Sequence, residues 1–277
     1  MGQNALYETN MLKRESGLSI GMALTYGYKA IRKNLVLWLA VGAVIGVIIA
    51  VVNYLNQRQM KIQQAQLQEQ MQNIMTGSST SANVTVTVMT PTMIVVSLVS
   101  FLVGVLASPI VYAAVLTQLD GETVTMETVK ARMNYVQTLI STVLVGLLSI
   151  LLSSTSMWAP AFLSLFVALI VSLLVSLVAL IVIPLLNLAP WFASESRTSG
   201  LNSIGASFSA AKKAYFPFLG LLLILGAIFI VGSLIVSFGG IIGMILGAIL
   251  TAFVAPLVIN ALGHAYRQMS GAPYPQM

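Results

Sequence analysis

The chain contains no cysteine and one histidine, His264. Disulfides, thiolate nucleophiles, zinc–thiolate sites and iron–sulfur clusters are therefore excluded, as is a metal centre built on several histidines. Charge is scarce as well. Asp, Glu, Lys and Arg make up 7% of the 277 residues, where a soluble domain carries about 25%. Apolar types reach 58% and mean hydropathy is +0.94. So few charges cannot cover a surface that faces water, and the solvent such a chain needs is the bilayer. Nor does any charged residue fall in the middle of an apolar run. Proton relays, voltage sensors and charge-coupled pumps place ionisable groups there. With no Ser-His-Asp set, phosphate loop or metal cluster, the residues predict neither an enzyme nor a bound cofactor.

What is present in quantity is long apolar runs. A span needs about 20 such residues, and six runs qualify, at 35–54, 93–117, 137–157, 161–186, 216–237 and 240–262. The predicted fold is an all-α polytopic membrane protein of six helices in three hairpins. Its expected parts are a cytoplasmic segment 1–34, a membrane domain 35–262 with an outside loop 55–92, and a cytoplasmic tail 263–277. The polar opening residues are unlike a cleaved signal, so the run from Leu35 is expected to be an uncleaved first span. Ser153–Ser156 with Met157–Pro160 should turn the second hairpin, and Phe238-Gly239-Gly240 the third. Trp38, Trp158 and Trp191 fall near run ends, where interfacial aromatic belts sit.

Orientation follows from where Lys and Arg fall along the chain, whose formal net charge is +6. With the N-terminus inside, the cytoplasmic segments hold 11 Lys and Arg residues and the outside ones hold 2, Arg58 and Lys61. The positive-inside rule then predicts a cell-membrane protein with both termini cytoplasmic. A repeat runs through the same segments. Ser19-Ile20-Gly21 before the first run matches Ser203-Ile204-Gly205 before the fifth, and Lys29-Ala30 matches Lys213-Ala214. Apolar positions follow a 4, 3, 4 spacing at Ile20, Leu24, Gly27 and Ile31, and again at Ile204, Phe208, Ala211 and Tyr215. A middle copy is Val129, Met133, Val136 and Ile140. That spacing is one face of a helix, with Ser203 placed as an N-cap. Each hairpin is thus expected to follow a short amphipathic helix. Lys29, Arg32, Lys33, Lys212 and Lys213 would carry these helices flat on anionic headgroups.

In the outside loop, Met60, Leu67, Met71 and Ile74 have heptad-like spacing in a Gln-rich stretch, which predicts a helix that leaves the first span and self-associates. Asn83 heads an Asn-Val-Thr sequon, a glycosylation acceptor in an organism that uses one. Gly42, Gly46 and Ala50, and Gly239, Gly243 and Gly247, place small residues on one helix face for close packing. Pro109, Pro184, Pro217 and Pro256 are expected to kink or end helices. His264 reads as an interfacial cation near a helix C-terminus, and Glu195 as the partner of Arg197, Lys212 or Lys213.

Pro190, Glu195, Ser203 and Ser207, followed by basic residues and a further hairpin, resemble a group of six-span prokaryotic membrane proteins. That group includes the membrane domain attached to some glycerophosphodiester phosphodiesterases, and the catalytic domain of those enzymes has no counterpart here. In size and topology the chain is also similar to polytopic subunits of archaeal DNA-import systems. The expected role is a non-enzymatic scaffold or conduit in a transport assembly. Its partners would be the bilayer, anionic headgroups and other subunits or itself, with nucleic acid only as cargo. The alternative is a lipid- or envelope-organising protein.

Overall fold

A computed structural model of the chain describes residues 17–76, 91–162, 165–238 and 240–272. Asn83, Gly239 and the surrounding Ser/Thr-rich segment lie outside these residues. The helices are α1 (Ile20–Lys33), α2 (Leu35–Met75), α3 (Pro91–Leu119), α4 (Met126–Arg132), α5 (Tyr135–Phe162), α6 (Leu165–Leu186), α7 (Ala189–Ser194), α8 (Asn202–Lys213), α9 (Tyr215–Phe238) and α10 (Gly240–Ser270). The protein is an all-α polytopic membrane protein, and six of its helices are long and apolar enough to cross a bilayer. Their outer faces carry Leu, Val, Ile and Phe that are half or more exposed, such as Val44, Leu98, Leu173 and Ile230. Ser141, Asn260, His264 and Arg267 are buried instead. This inversion of soluble-protein burial is what a lipid solvent requires.

The three-unit plan is visible in the backbone. α1 breaks for one residue at Asn34 (φ −128°, ψ 54°) before α2 begins, and α8 breaks for one residue at Ala214 (φ −129°, ψ 37°) before α9. The two hinges share one conformation. Each gives its N–H to the carbonyl four or three residues back, Asn34 to Ala30 and Ala214 to Ala211. In the middle unit α4 is only seven residues long and the break falls at Met133 and Asn134. The expected 4, 3, 4 face there is therefore not one helix face: Val136 and Ile140 lie on α5 and are exposed. Ser19 caps α1, its hydroxyl accepting from the Met22 N–H. Ser203 is no cap, because α8 starts one residue earlier and Ser203 turns inward.

As expected, α2 continues without a break from the first span to Met75, so the Gln-rich stretch extends that helix. Other boundaries move. The serines and Pro160 expected to turn the second hairpin lie within α5, which runs on to Phe162. α10 continues past residue 262 to Ser270.

Pro109, Pro184 and Pro256 lie inside spans, and each leaves the carbonyl four residues earlier without its helical donor. Two of these carbonyls take a hydroxyl in its place, as the membrane interior demands. Pro109 frees Val105 O, which accepts from the Ser108 hydroxyl at 2.8 Å. Pro184 frees Leu180 O, which accepts from the Tyr215 hydroxyl at 3.2 Å. Pro256 frees Ala252 O, and that atom lies where a Cβ on Gly42 would be. A Cβ on Gly46 would meet Ala248 O at 2.6 Å. The Gly42 and Gly46 face of α2 is thus occupied by α10 of the same chain, close enough for Cα–H···O contacts. Gly243 and Gly247, earlier in α10, are buried. Pro217 is the third residue of α9, where no helical N–H is needed.

Candidate functional site at the basic end

The returning helix of each hairpin ends near one charged residue. Asp120 follows α3, Glu195 follows α7 at the end of the second hairpin, and Arg267 lies in the last turn of α10. The fold brings the three together. Arg267 contacts Asp120 at 2.8 Å and Glu195 at 2.6 Å. Arg132 on α4 takes the other Asp120 oxygen. Arg197 contacts the second Glu195 oxygen at 2.7 Å, and the Tyr266 hydroxyl donates to that oxygen at 2.6 Å. Each of the four carboxylate oxygens lies within ion-pair distance of an arginine, although Glu195 Oε1 accepts no hydrogen bond. The Glu195 and Arg267 side chains are each 4% exposed, whereas Arg197 is 37% exposed. Two turns make this geometry. Gly121, at φ 82°, reverses the chain after Asp120, and Ser196, at φ 58°, brings Arg197 back to Glu195. A β-carbon at Gly121 would strain that turn.

Beneath the charges lies an aromatic layer. Trp191 is edge-on to Tyr112 with centroids 4.5 Å apart, and Phe192 is edge-on to Tyr266 at 4.9 Å. Gly263 permits this, since a Cβ there would lie 3.0 Å from the Trp191 ring. Two of the three tryptophans expected at an interface do not face one. Trp191 and Trp38 are fully buried, and the Trp38 indole donates to Gln118 Oε1 at 2.6 Å. Gln118 in turn donates to Ala30 O at 2.8 Å, which ties the α1–α2 hinge to α3. The side chain of Trp158 lies outside the described residues.

His264 is not an interfacial cation. It is 2% exposed, stacked on Tyr26 at 4.7 Å and within 2.8 Å of Gln268 Nε2. Gln268 also accepts from the Ser19 N–H at 2.7 Å, joining the start of α1 to the end of α10. Burial, with the Asp120 carboxylate adding to it, pushes the Tyr26 hydroxyl above the usual phenol range.

The Pro190, Glu195, Ser203 and Ser207 pattern seats α7 and α8. Pro190 stands in the first turn of α7. Ser207 donates to Leu185 O at 2.5 Å and accepts from the Leu188 N–H, filling the α6–α7 turn. Ser203 bonds Gly200 O at 2.6 Å and Ser141 Oγ at 2.8 Å. Glu195 pairs with Arg197 and Arg267, not with Lys212 or Lys213.

Lys29, Arg32, Lys33, Lys212 and Lys213 are all exposed at the ends of α1 and α8, where cations suit the helix dipole. The apolar face of α1 is spent within the protein. Ala23, Tyr26, Ala30 and Ile31 are buried, and a Cβ on Gly27 would meet Leu257 O of α10 at 2.7 Å. A helix lying flat with that face in lipid is thereby excluded. What points outward beside the cations is Met22, Tyr28 and Phe208.

Sequence reasoning missed Asp120, Arg132 and Arg267 as one network. The available signal was the repeat itself, a lone charge at the end of each returning run. No family model, curated protein or solved structure matches the chain.

Proposed function

We propose that this chain is a non-enzymatic scaffold subunit of a membrane transport assembly, set in the cell membrane with its basic end and both termini cytoplasmic. The observation that carries the reading is the ion-pair network at that end. It takes a charged residue from every hairpin and closes the three returning helices into one platform. On the opposite side α2 is an arm. Its 41 residues span about 60 Å at 1.5 Å per residue, twice the hydrocarbon thickness of about 30 Å. The arm would meet other subunits or a second copy, and nucleic acid would enter only as cargo. Membership of the six-span group that includes the phosphodiesterase-linked membrane domains belongs to this proposal.

A second reading, organisation of envelope lipid, is favoured by the five exposed cations beside Met22, Tyr28 and Phe208. Purification in nanodiscs excised from the host membrane separates the two. A stable co-purifying membrane subunit or a dimer is the expected result. A monomer without a partner, ringed by anionic lipid, would replace the first reading by the second.

A further inference from the structure

A cavity of about 460 Å³ lies between α2, α3, the α6–α7 turn and α10, within the size range of ligand pockets. Its walls include Val44, Gly104 and Ile110, and its inner end holds Tyr112, Asn187 and Trp191. Val44 and Ile110 are 61% and 46% exposed on the lipid-facing surface, so the wall of the cavity is continuous with surface that bilayer tails cover. A Cβ on Gly104 would meet nothing within 4 Å.

The inner end differs in kind. Among the described residues, neither the Asn187 amide nor the Tyr112 hydroxyl has a hydrogen-bond partner, and both line the cavity. An amide facing an apolar space needs a partner. These groups also sit at a definite depth. Asn187 immediately follows the last residue of α6, and Leu262, on the same wall, is five residues before the ion-paired Arg267. Five residues of helix rise about 7.5 Å, which places the polar end just inside the charged layer. In a leaflet that is the level of glycerol esters, with tails on one side and headgroups on the other.

We infer that the cavity is a binding site for one glycerolipid of the leaflet at the basic end. A single acyl chain fills the space lined by Val44, Gly104 and Ile110, and its ester carbonyl accepts from Asn187 and Tyr112. The site is independent of the scaffold role: a monomer without partners would still hold its lipid.

Trp191 makes the test direct, because it closes the inner end of the cavity and is 1% exposed. The full chain carrying Trp38→Phe and Trp158→Phe, leaving Trp191 as its sole tryptophan, is reconstituted in vesicles of phosphatidylcholine brominated along the acyl chain. Loss of most of the Trp191 emission is expected. Gly104→Leu, which fills the mouth without touching backbone, should restore most of it, and Asn187→Leu part of it. If the double Phe background does not fold, the same variants are compared in the wild-type chain, where Trp191 is the tryptophan that lines the cavity. No quenching, while a tryptophan placed at the exposed Val36 is quenched, would overturn the site. So would quenching unchanged by both variants, or quenching by brominated fatty acid but not by brominated phospholipid.

Discussion

Arg267 and Arg197 both contact Glu195, at nearly the same distance, yet their removal should have very different effects. Arg267 is 4% exposed and is held by two acids, one of them equally buried. Removing one member of a buried pair typically destabilises by about 3–5 kcal/mol, because the remaining charge keeps its desolvation cost. Arg267→Met should lie in that range, about two to three and a half decades in the unfolding equilibrium at about 1.4 kcal/mol per decade. Arg197 is 37% exposed, and exposed pairs contribute about 0–1 kcal/mol. Arg197→Ala should therefore cost less than about 1 kcal/mol. The assay is reversible unfolding in mixed micelles of rising SDS fraction, followed by tryptophan emission. A double-mutant cycle with Glu195→Gln and Arg267→Met isolates the pair, and a coupling of about 0.5–3 kcal/mol is expected. Equal effects of the two arginine variants, or additivity within about 0.5 kcal/mol in the cycle, would refute the platform argument.

Cysteines placed at Ser79 and Thr123 should be labelled by a membrane-impermeant maleimide from opposite sides of the membrane, and labelling from one side would refute the topology. Gly42→Leu drives a side chain into Ala252 O and should cost at least about 1–3 kcal/mol, whereas a Cβ at Gly104 meets no protein atom within 4 Å, so Gly104→Leu should lower thermal stability less; equal melting of the two contradicts the packing described. Replacing Lys29, Arg32, Lys33, Lys212 and Lys213 by Gln should lower enrichment of anionic lipid around the protein, each charge counting for about 1 kcal/mol, and the difference should shrink as salt rises. Enrichment that ignores both salt and substitution would show that these residues do not face headgroups.

The six spans were legible because the bilayer imposes length and apolarity on each run separately, with no need to know its neighbours. The α1 and α8 helices were legible for a similar local reason: a 3.6-residue period ending in a pair of cations. What α1 packs against was not, since an apolar face reads the same whether lipid or Leu257 covers it. Trp38 and Trp191 show the same limit. A tryptophan near a span end suits the interface, but Gln118 and Tyr112, distant in sequence, take these two inside. The prolines read as kinks, and the hydroxyl that repairs Pro109, on Ser108, is local in sequence, whereas Tyr215 becomes a partner only in three dimensions. For Pro184 that partner comes from another hairpin. The ion-pair network was hidden for the same reason, although its members stand at matching places in the repeat.

The distribution of charge over the three hairpins has a consequence for biogenesis. Asp120 and Glu195 leave the ribosome with the first and second hairpins, and Arg267, which joins them, emerges only with α10. Until then the two acids have only the nearby Arg132 and Arg197, both partly open to water. Membrane insertion of the first four spans can therefore be complete while their ends remain uncommitted, and arrival of α10 closes the structure. A chain truncated before Arg267 would leave Asp120 and the buried Glu195 without the arginine that joins them, so the last turn of α10 is what links the ends of the three hairpins.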